Sequence, residues 1–400
     1  MSSKRIVLGV TGSIAAYKAA DLASKLAQAG ALVDVVLTES ATRFVAPLTF
    51  QSVTGRPAFT DADLWGPQAH VLHVGLAHSA ELFIVAPATA HTLAKLATGS
   101  AGDLLSLTAL ATRCPLLIAP AMDAGMLEHP ATQENLRLLA ERGATILGPE
   151  LGHLASGLSG IGRMTEPGDI LAHVRYLLSR GGPLAGRKVV VTAGGTQEPL
   201  DPVRVLTNLS SGKQGYALAQ AALDAGAEVI LIAAPAALTP PAGAVLIQVR
   251  TAQEMLEAVL RTTDEAEALL MAAAVADFRP RQTAAQKMKR EKGVPVLSLE
   301  PAPDILAAVA ERRRSRGRPR VMVGFAAETE NLLANAQAKM REKALDIIAA
   351  NDISQADTGF GSDTNRVTLI DASGRVEELP LLSKGEVAQH IVARVIALLA

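Results

Sequence analysis

Short apolar runs recur along the chain, and each run is followed by a small-residue turn and then by a stretch with helical spacing. In the first half they cover residues 6–10, 33–37, 82–86, 116–119 and 145–147, and in the second half residues 188–192, 229–232, 245–249, 269–273, 321–324 and 347–350. Uniformly apolar, β-branched runs between alanine-rich helices are typical of parallel strands buried on both faces. We therefore predict an α/β fold with doubly wound, mainly parallel sheets of the Rossmann-like or flavodoxin-like kind.

The pattern begins twice. Residues 5–10 run into Thr11, Gly12 and Ser13 before a helix, and residues 188–192 run into a glycine turn and a second small-polar cluster, residues 208–213, before another helix. Between the two halves, residues 179–187 contain three glycines and a proline, which marks a linker. We predict one domain over residues 1–178, a linker over 179–187 and a second domain over 188–400. The second domain is expected to end with a hairpin, residues 367–371 and 375–379, and a helix.

Composition narrows the possible functions. Hydrophobic residues make up 49% of the chain and charged residues 19%, which argues against extensive disorder. The formal net charge of −1 gives no overall basic field for nucleic acid, and we interpret the basic residues 312–320 as a solvated helix end. No apolar run approaches the roughly 20 residues of a membrane span, and the single cysteine, Cys114, has no partner for an intrachain disulfide. We expect a cytoplasmic protein with neither membrane nor nucleic-acid partners.

Small polar loops follow the strands of the first domain. They contain Thr11, Gly12, Ser13, Thr38, Ser40, Pro87, Ala88, Thr89 and the segment 120–123. Because the carboxyl ends of parallel strands meet at one edge of a sheet, these loops should converge there. Hydroxyl and backbone N–H groups suit a phosphate, and the first strand lacks a G-x-G-x-x-G motif, so FMN is a better candidate than a dinucleotide. Ordinary strand-to-helix turns are the alternative.

A glycine-rich segment, ELGHLASGLSGIGRMTE, spans residues 150–166 and has neither strand nor helix period. We predict a mobile flap that ends near Arg163 and closes over a substrate, with a disordered connection between domains as the alternative. His73 is expected to lie just before a helix that leads into the strand at residue 82.

Basic residues cluster in the second domain. Lys287 begins the run KMKR, and Lys339 and Lys343 lie one helical turn apart. Lysines in such positions can bind a triphosphate, which would need Mg²⁺, although the ligands of the metal are unknown. Asp277 and Phe325 follow strands of the same sheet, and Phe325 can lie against a base or ribose. Each residue alone is equally explained as a solvated surface group.

The whole chain resembles the bifunctional phosphopantothenoylcysteine decarboxylase and phosphopantothenate:cysteine ligase family of bacterial coenzyme A synthesis. The first half carries GVTGSIAAYKA, HVGLA, APATA, PAM-x-x-x-M and GIGRM. The second half, the closer match, carries TAGGTQEPLDPVRVLTN, SSGKQG, AAVADFRP, KMKR, PAPDIL, VGFAAE and IIAANDIS. The resemblance implies ligation of 4'-phosphopantothenate with cysteine through a CTP-derived acyl-cytidylate. FMN-dependent decarboxylation to 4'-phosphopantetheine then follows, in a homo-oligomer.

The resemblance also implies roles for residues. In the ligase, Asn208 and Lys287 are catalytic, and CTP is bound by Met271, Ala272, Ala273, Asp277, Lys287, Pro303, Asp304, Ile305, Leu306, Phe325, Lys339 and Lys343. In the decarboxylase, His73 is the acid/base or orienting group, the flap residue Ser156 takes the position of a proton donor, and Asp123, Met126 and Arg163 bind substrate.

The first domain departs from the family at four positions. Ser156 stands where a cysteine is frequent, Asp123 and His91 replace asparagines, and Leu127 replaces an aromatic residue. An ionised Asp123 can only accept hydrogen bonds. It is therefore protonated through burial, or it turns away while Arg163 binds the substrate carboxylate, or decarboxylation is poor. The alternative to two active domains is an active ligase whose first domain is kept as a flavin-binding oligomerisation scaffold. A flavin- or nucleotide-binding regulator without catalysis is a further alternative.

Overall fold

The computed structural model describes residues 1, 3–65, 71–289, 296–328, 331–352 and 362–400. The chain divides into two compact units, Met1–Leu178 and Ser179–Ala400. No helix within the described ranges combines the length and apolar character needed to cross a membrane.

The described strands of the first unit form a parallel sheet and a separate antiparallel hairpin. The strands are β1 (Arg5–Val10), β2 (Leu32–Leu37), β3 (Ala58–Phe59), β4 (Leu82–Ala88), β5 (Leu116–Pro120), β6 (Thr145–Ile146), β7 (Glu150–His153) and β8 (Ser159–Arg163). The sheet has the order β3-β2-β1-β4-β5-β6, and β7 pairs with β8. The strand order reverses between β1 and β4, so the crevice beyond their carboxyl ends is where a ligand is expected.

Helices cover both faces of this sheet. They are α1 (Ala16–Gln28), α2 (Glu39–Thr42), α3 (Pro47–Thr54), α4 (Leu72–Ser79), α5 (Ala90–Thr98), α6 (Leu104–Ala111), α7 (Ala124–Glu128), α8 (Pro130–Glu141) and α9 (Pro167–Ser179), with a 3-10 turn at Asp61–Trp65. Successive strand side chains point to opposite faces. Ile6 and Leu8 accordingly belong to the core that contains α1 and α9, whereas Val7 belongs to the core that contains α5 and α6.

The second unit is built on a larger mixed sheet. Its strands are β9 (Lys188–Ala193), β10 (Gln197–Pro199), β11 (Val205–Thr207), β12 (Glu228–Ala233), β13 (Val245–Gln248), β14 (Ala268–Met271), β15 (Phe278–Pro280), β16 (Leu299–Pro301), β17 (Val321–Glu328), β18 (Ile347–Asp352), β19 (Thr364–Asn365), β20 (Val367–Asp371), β21 (Val376–Glu378) and β22 (Leu382–Ser383). Eight of the described strands form the order β13-β12-β9-β14-β17-β18-β20-β21, with β20 and β21 antiparallel. Both sheets confirm the predicted fold class. The expected terminal hairpin is β20 and β21.

Helices of the second unit are α10 (Lys213–Asp224), α11 (Ala252–Thr263), α12 (Ile305–Arg316), α13 (Leu332–Glu342) and α14 (Lys384–Leu399). Helices α11, α12 and α13 share one core with alternate residues of the sheet, including Leu269, Met322 and Ile348. Helices α10 and α14 pack against each other. The strand order reverses between β9 and β14, which again predicts a ligand crevice at that point.

Two local predictions are wrong. Residues 150–163 contain the hairpin β7–β8, where we expected neither strand nor helix, and His73 lies inside α4 instead of before it. The function of residues 150–166 as a mobile flap stays a prediction. Glycine is unfavourable inside strands, so the glycine-rich hairpin has no strand signal in its sequence. The basic residues at the end of α12 are exposed or half-buried, as expected for a solvated helix end, and Arg312 and Arg316 both pair with Asp264.

Candidate functional site

In the first unit, the loop after β1 is tied to the turn after β4. The buried Thr11 hydroxyl donates to the carbonyl of Pro87 at 2.7 Å and accepts from the N–H of Thr89 at 3.1 Å. The Thr89 hydroxyl in turn caps α5 by accepting from the N–H of Thr92. Pro87 and Ala88 are buried beneath this turn. Thr11 therefore organises the crevice and has no hydroxyl hydrogen left for a ligand.

The loops after β1 and β2 touch at Gly12. A Cβ at this position would overlap Ser40, so only glycine fits here. Thr38 caps α2 by accepting from the N–H of Ala41, whereas Ser40 is exposed and Ser13 is half-buried. The hydroxyls of Ser13 and Ser40 and the backbone beside Gly12 thus face the crevice edge. This small, donor-rich cradle fits a phosphate-bearing cofactor.

The loop after β5 joins the same edge and carries the hairpin. The N–H of Ala121 donates to the Ala88 carbonyl at 3.0 Å, and the N–H of Met122 donates to the Gly162 carbonyl at 3.0 Å. A Cβ at Gly162 would overlap the Met122 carbonyl oxygen, so the hairpin docks here only because residue 162 is glycine. The β7–β8 hairpin is thereby fixed next to the loop that carries Asp123.

The two most unusual residues of the first unit are bonded to each other. The Ser156 hydroxyl, in the turn of the hairpin, donates to Asp123 Oδ2 at 2.8 Å. The other oxygen, Asp123 Oδ1, accepts from the N–H of Gly125 at 3.0 Å and caps the short helix α7. Asp123 is half-buried, and Met126 beside it is 52% exposed. The burial expected of Asp123 is therefore only partial, and both of its oxygens act as acceptors.

Arg163 is held by an acidic neighbour. Its guanidinium pairs with Glu166, which also accepts from the buried Lys18 at 2.9 Å. The Lys18 ammonium, followed by Arg163, holds the pKa of Glu166 below its usual value. Because Arg163 is already paired, it is a poor candidate for binding a substrate carboxylate on its own.

His73 lies in the first turn of α4. Helices that follow the strands of such a sheet run antiparallel to them, so the first turn of α4 lies toward the carboxyl edge. The ring nitrogen Nδ1 is buried and has no hydrogen-bond partner within the described ranges. Residues 66–70, which include His70, lie outside them.

The second unit contains a cavity of about 530 Å³ beyond the carboxyl ends of β9, β14, β17 and β18. It collects nearly all of the residues that we predicted to bind CTP or the acyl intermediate. These are Asn208, Met271, Ala272, Ala273, Asp277, Pro303, Asp304, Ile305, Leu306, Phe325, Lys339 and Lys343. Lys287 is the exception, since it is exposed and does not line the cavity. The rest of the motif that it begins reaches Arg290, which lies outside the described residues.

Two lysines of α13 and its C-cap reach the cavity. Lys339 Nζ donates to the Phe325 carbonyl at 3.0 Å, and Lys343 Nζ pairs with Asp304 Oδ2 at 2.6 Å. Burial disfavours the charged form of Asp304, but the Lys343 ammonium and the N–H of Ala307 outweigh it and lower the pKa of Asp304. Asp304 correspondingly raises the pKa of Lys343. Asp304 thus holds Lys343 in its charged form, and the described lining of the cavity carries four lysines against two aspartates.

Asn208 also lines the cavity. Its side-chain Nδ2 donates to the Val275 carbonyl at 3.1 Å and to the Ala274 carbonyl at 3.4 Å. The N–H of Ala274 donates to the Gly194 carbonyl at 2.8 Å, which joins the loops after β9 and β14. Asn208 is thus held against the loop that leads to Asp277.

The segment that carries Lys287 is fixed by a residue that we did not predict. Asp201 is almost fully buried and accepts from the N–H groups of Val203, Arg204 and Met288, while Arg204 also bonds the Met288 carbonyl. Burial opposes ionisation, but these backbone N–H groups lower the pKa of Asp201 to about 2. The neighbouring sequence TQEPLDP contains Asp201, but nothing in it distinguishes a buried acceptor from a turn residue.

A further wall of the cavity was also missed. It consists of Gln214, Asn365 and Lys384, with Lys213 paired to Asp363 at 2.6 Å nearby. We refer to Gln214, Asn365 and Lys384 as the C-terminal wall. Burial and the neighbouring Lys213 lower the pKa of Lys384. Asn365 and Lys384 follow no strand end with a recognisable motif, and only the tertiary fold brings them to the cavity.

Within the described residues, no cluster of three or more histidine, cysteine, aspartate or glutamate side chains is arranged to hold a metal ion.

Comparison with known proteins decides the family. Residues 1–179 match the family described as Flavoprotein, and residues 184–399 match the DNA/pantothenate metabolism flavoprotein C-terminal domain. The chain is 44% identical over 401 residues to the coenzyme A biosynthesis bifunctional protein CoaBC of Bacillus subtilis, covering 100% of this chain and 98% of that protein.

The chain belongs to the family of coenzyme A biosynthesis bifunctional proteins. It is a bifunctional enzyme in which a ligase is joined to a flavoprotein decarboxylase, as the sequence motifs predicted.

Two solved structures each align with one part of the chain. The C-terminal domain of a coenzyme A biosynthesis bifunctional protein CoaBC is 40% identical, with a TM-score of 0.47, over 55% of this chain and 98% of that one. A PPC decarboxylase mutant complexed with pantothenoylaminoethenethiol is 34% identical, with a TM-score of 0.40, over 43% of this chain and 97% of that one.

Proposed function

We propose that the second unit joins 4'-phosphopantothenate to cysteine at the expense of CTP. The observation that carries this proposal is the cavity of about 530 Å³, in which loops from β9, β14 and β17 and helix α13 bring two lysines, Asp277, Phe325 and Asn208 together. A positively charged cavity beside an aromatic ring suits a nucleoside triphosphate.

The reaction has two steps. A carboxylate oxygen of phosphopantothenate attacks the α-phosphorus of CTP, and pyrophosphate leaves. Mg²⁺ bound to the nucleotide would neutralise charge on the phosphates. The cysteine amine then forms a C–N bond with the acyl carbon, the C–O bond to the cytidylate breaks, and the ammonium proton is lost as CMP departs.

The cavity residues have distinct roles in this scheme. Lys339 and Lys343 bind phosphate oxygens, Phe325 contacts the nucleoside, and Met271–Ala273, Asp277 and residues 303–306 shape the nucleotide subsite. Asn208 holds the acyl-cytidylate for attack, consistent with its place beside the loop of Val275. Lys287, which lies outside the cavity lining on the segment held by Asp201, is assigned to stabilising charge on the phosphates by the family motif alone.

We further propose that the first unit binds FMN and decarboxylates the ligase product to 4'-phosphopantetheine. Thr11, Gly12, Ser13, Thr38, Ser40, Pro87, Ala88 and Thr89 form the cradle of the cofactor. When bound, FMN supplies reversible two-electron chemistry, which makes loss of CO₂ next to a thiol-bearing carbon possible.

The remaining groups of the first unit act on the substrate. His73 orients it or moves a proton from its buried ring, Ser156 and Asp123 act in the hairpin turn, and Met126 and Arg163 border the substrate. The enzyme acts in the cytoplasm, as a homo-oligomer.

One observation favours a second candidate function, an active ligase with a weakened decarboxylase. The Ser156 hydroxyl directs its proton to Asp123, and Arg163 is paired with Glu166. In this arrangement Ser156 and Asp123 occupy each other, and Arg163 is occupied by Glu166 instead of by a substrate carboxylate. A ligase rate far above the decarboxylation rate would support this candidate.

The test separates the two half-reactions. Purified protein is given CTP and phosphopantothenate without cysteine, and pyrophosphate is measured. We expect release in proportion to enzyme, and turnover only after cysteine is added. ATP in place of CTP is the matched control. If no pyrophosphate were released without cysteine, and amide were still formed at the full rate once cysteine was added, the acyl-cytidylate route would be contradicted. FMN binding is tested independently of activity: the purified protein should be yellow and should release FMN when it is denatured.

A further inference from the structure

Two amide oxygens of the C-terminal wall are buried without partners. Gln214 Oε1 and Asn365 Oδ1 make no hydrogen bond within the described ranges, and Asn365 as a whole is only 5% exposed. Both residues line the cavity of the second unit. A buried carbonyl oxygen without a donor lowers the stability of the free protein, so this wall is built to receive a donor from a ligand.

The fold fixes the position of these oxygens. Strand β19 pairs with β22, which places Asn365 opposite Leu382 and brings Lys384 to the cavity. Gln214 Nε2 donates to the carbonyl of Lys384 at 3.2 Å. The Gln214 amide cannot turn over without losing that bond, so its oxygen is the end left for a ligand.

The charges nearby select the kind of donor. Lys213 and Lys384 both line the same cavity. Their positive charges disfavour an ammonium group, such as that of cysteine, next to the two amide oxygens. A neutral N–H or O–H donor on an anionic molecule is compatible with both features. Phe325, the one aromatic residue in the described cavity lining, provides a ring against which a base can stack.

We infer that the C-terminal wall is a nucleoside-recognition subsite, in which Gln214 and Asn365 accept hydrogen bonds from the nucleotide and Lys384 adds positive charge. This inference rests on the proposed CTP-dependent ligase. The donors of a cytidine nucleotide are the exocyclic amino group of the base and the ribose hydroxyls. A uracil nucleotide presents an oxygen at the position of the amino group, which would face the amide oxygens and be rejected.

The experiment measures nucleotide binding to the full chain by calorimetry, with CTP, UTP, 2'-deoxycytidine triphosphate and 3'-deoxycytidine triphosphate. The variants are Asn365→Leu and Gln214→Leu, on different elements. Gln253→Leu removes an exposed amide whose Nε2 donates to Glu257 on α11, outside the cavity lining, and it is the matched control. Because Asn365→Leu removes a buried oxygen without a partner, the free protein should unfold at the same temperature as wild type or higher.

We expect each wall variant to weaken CTP binding by about three- to tenfold, and the control to have no effect. If UTP binding is unchanged in the variants, the amino group of the base is the donor. If the variants weaken UTP binding as much as CTP binding but leave the binding of one deoxynucleotide unchanged, the ribose hydroxyl that this deoxynucleotide lacks is the donor. If the wall variants bind nucleotides as wild type does but have a raised KM for cysteine or phosphopantothenate, this inference is overturned and the proposed ligase is not. A wild-type protein that binds no nucleotide would overturn the proposed ligase as well.

Discussion

The contact between Ser156 and Asp123 predicts how firmly the β7–β8 turn is held. Ser156→Ala removes one hydrogen bond, 2.8 Å long, to an acceptor that also caps α7. The docking of Gly162 on Met122 remains. The substitution should therefore loosen the tip of the hairpin without detaching it.

The size of the effect follows from the exposure of the bond. Hydrogen bonds to charged groups are worth about 1.5–3 kcal/mol when well shielded. Ser156 is exposed and Asp123 is half-buried, so water competes for both groups. We expect Ser156→Ala to lower the free energy of opening the turn by about 1 kcal/mol, which corresponds to about a fivefold larger population of the open turn.

Hydrogen exchange measures this population directly. The N–H of Leu154 donates to the Leu158 carbonyl and that of Gly157 to the Leu154 carbonyl, so both amides report opening of the turn. In Ser156→Ala they should exchange about fivefold faster, while Ser159→Ala, on β8 in the same hairpin, should leave them unchanged. Equal exchange in wild type and Ser156→Ala would show that the Ser156–Asp123 bond does not hold the turn.

The second unit responds differently to changes at its cavity and at the loop beside it. Asn208→Ala should still release pyrophosphate from CTP and phosphopantothenate while amide formation falls by orders of magnitude; unchanged amide yield would disprove the role of Asn208. Lys287→Gln should slow pyrophosphate release itself, and normal release would remove Lys287 from the site. Asp201→Asn should lower the melting temperature. Because the pKa of Asp201 falls from about 3.9 unfolded to about 2 folded, its stabilisation is complete above about pH 4 and is lost only as the pH falls through about 2. The difference in melting temperature between wild type and Asp201→Asn should therefore be the same at about pH 5 as at about pH 7. A smaller difference at about pH 5 would contradict this account.

The sheets were predictable because their strands are buried on both faces and therefore uniformly apolar. The turns at Gly12 and at residues 193–196 were predictable for a related reason, since close backbone approach requires small residues. The hairpin β7–β8 was not predictable, because Gly162 serves the contact with Met122 and the glycines of the hairpin together remove the alternating pattern of a strand.

The cavity was predicted well where motifs follow strand ends and poorly elsewhere. Asp277, Asp304 and Phe325 lie within recognisable motifs. Asn365 and Lys384 reach the cavity through the pairing of β19 with β22, a contact between two-residue strands that carries almost no sequence signal. Asp201 was missed because burial, and not residue type, makes it a structural acceptor.

A coupled assay on the purified full chain tests the central claim, that one protein carries out both reactions, most directly. Phosphopantothenate, CTP and cysteine labelled in its carboxyl group are supplied together, and pyrophosphate and labelled CO₂ are followed in time. Two active units predict equal final amounts of pyrophosphate and CO₂, with CO₂ lagging behind, and neither product without CTP. Pyrophosphate and amide product without any CO₂ would contradict the claim for the first unit, and CO₂ release that does not depend on CTP would contradict it for the second.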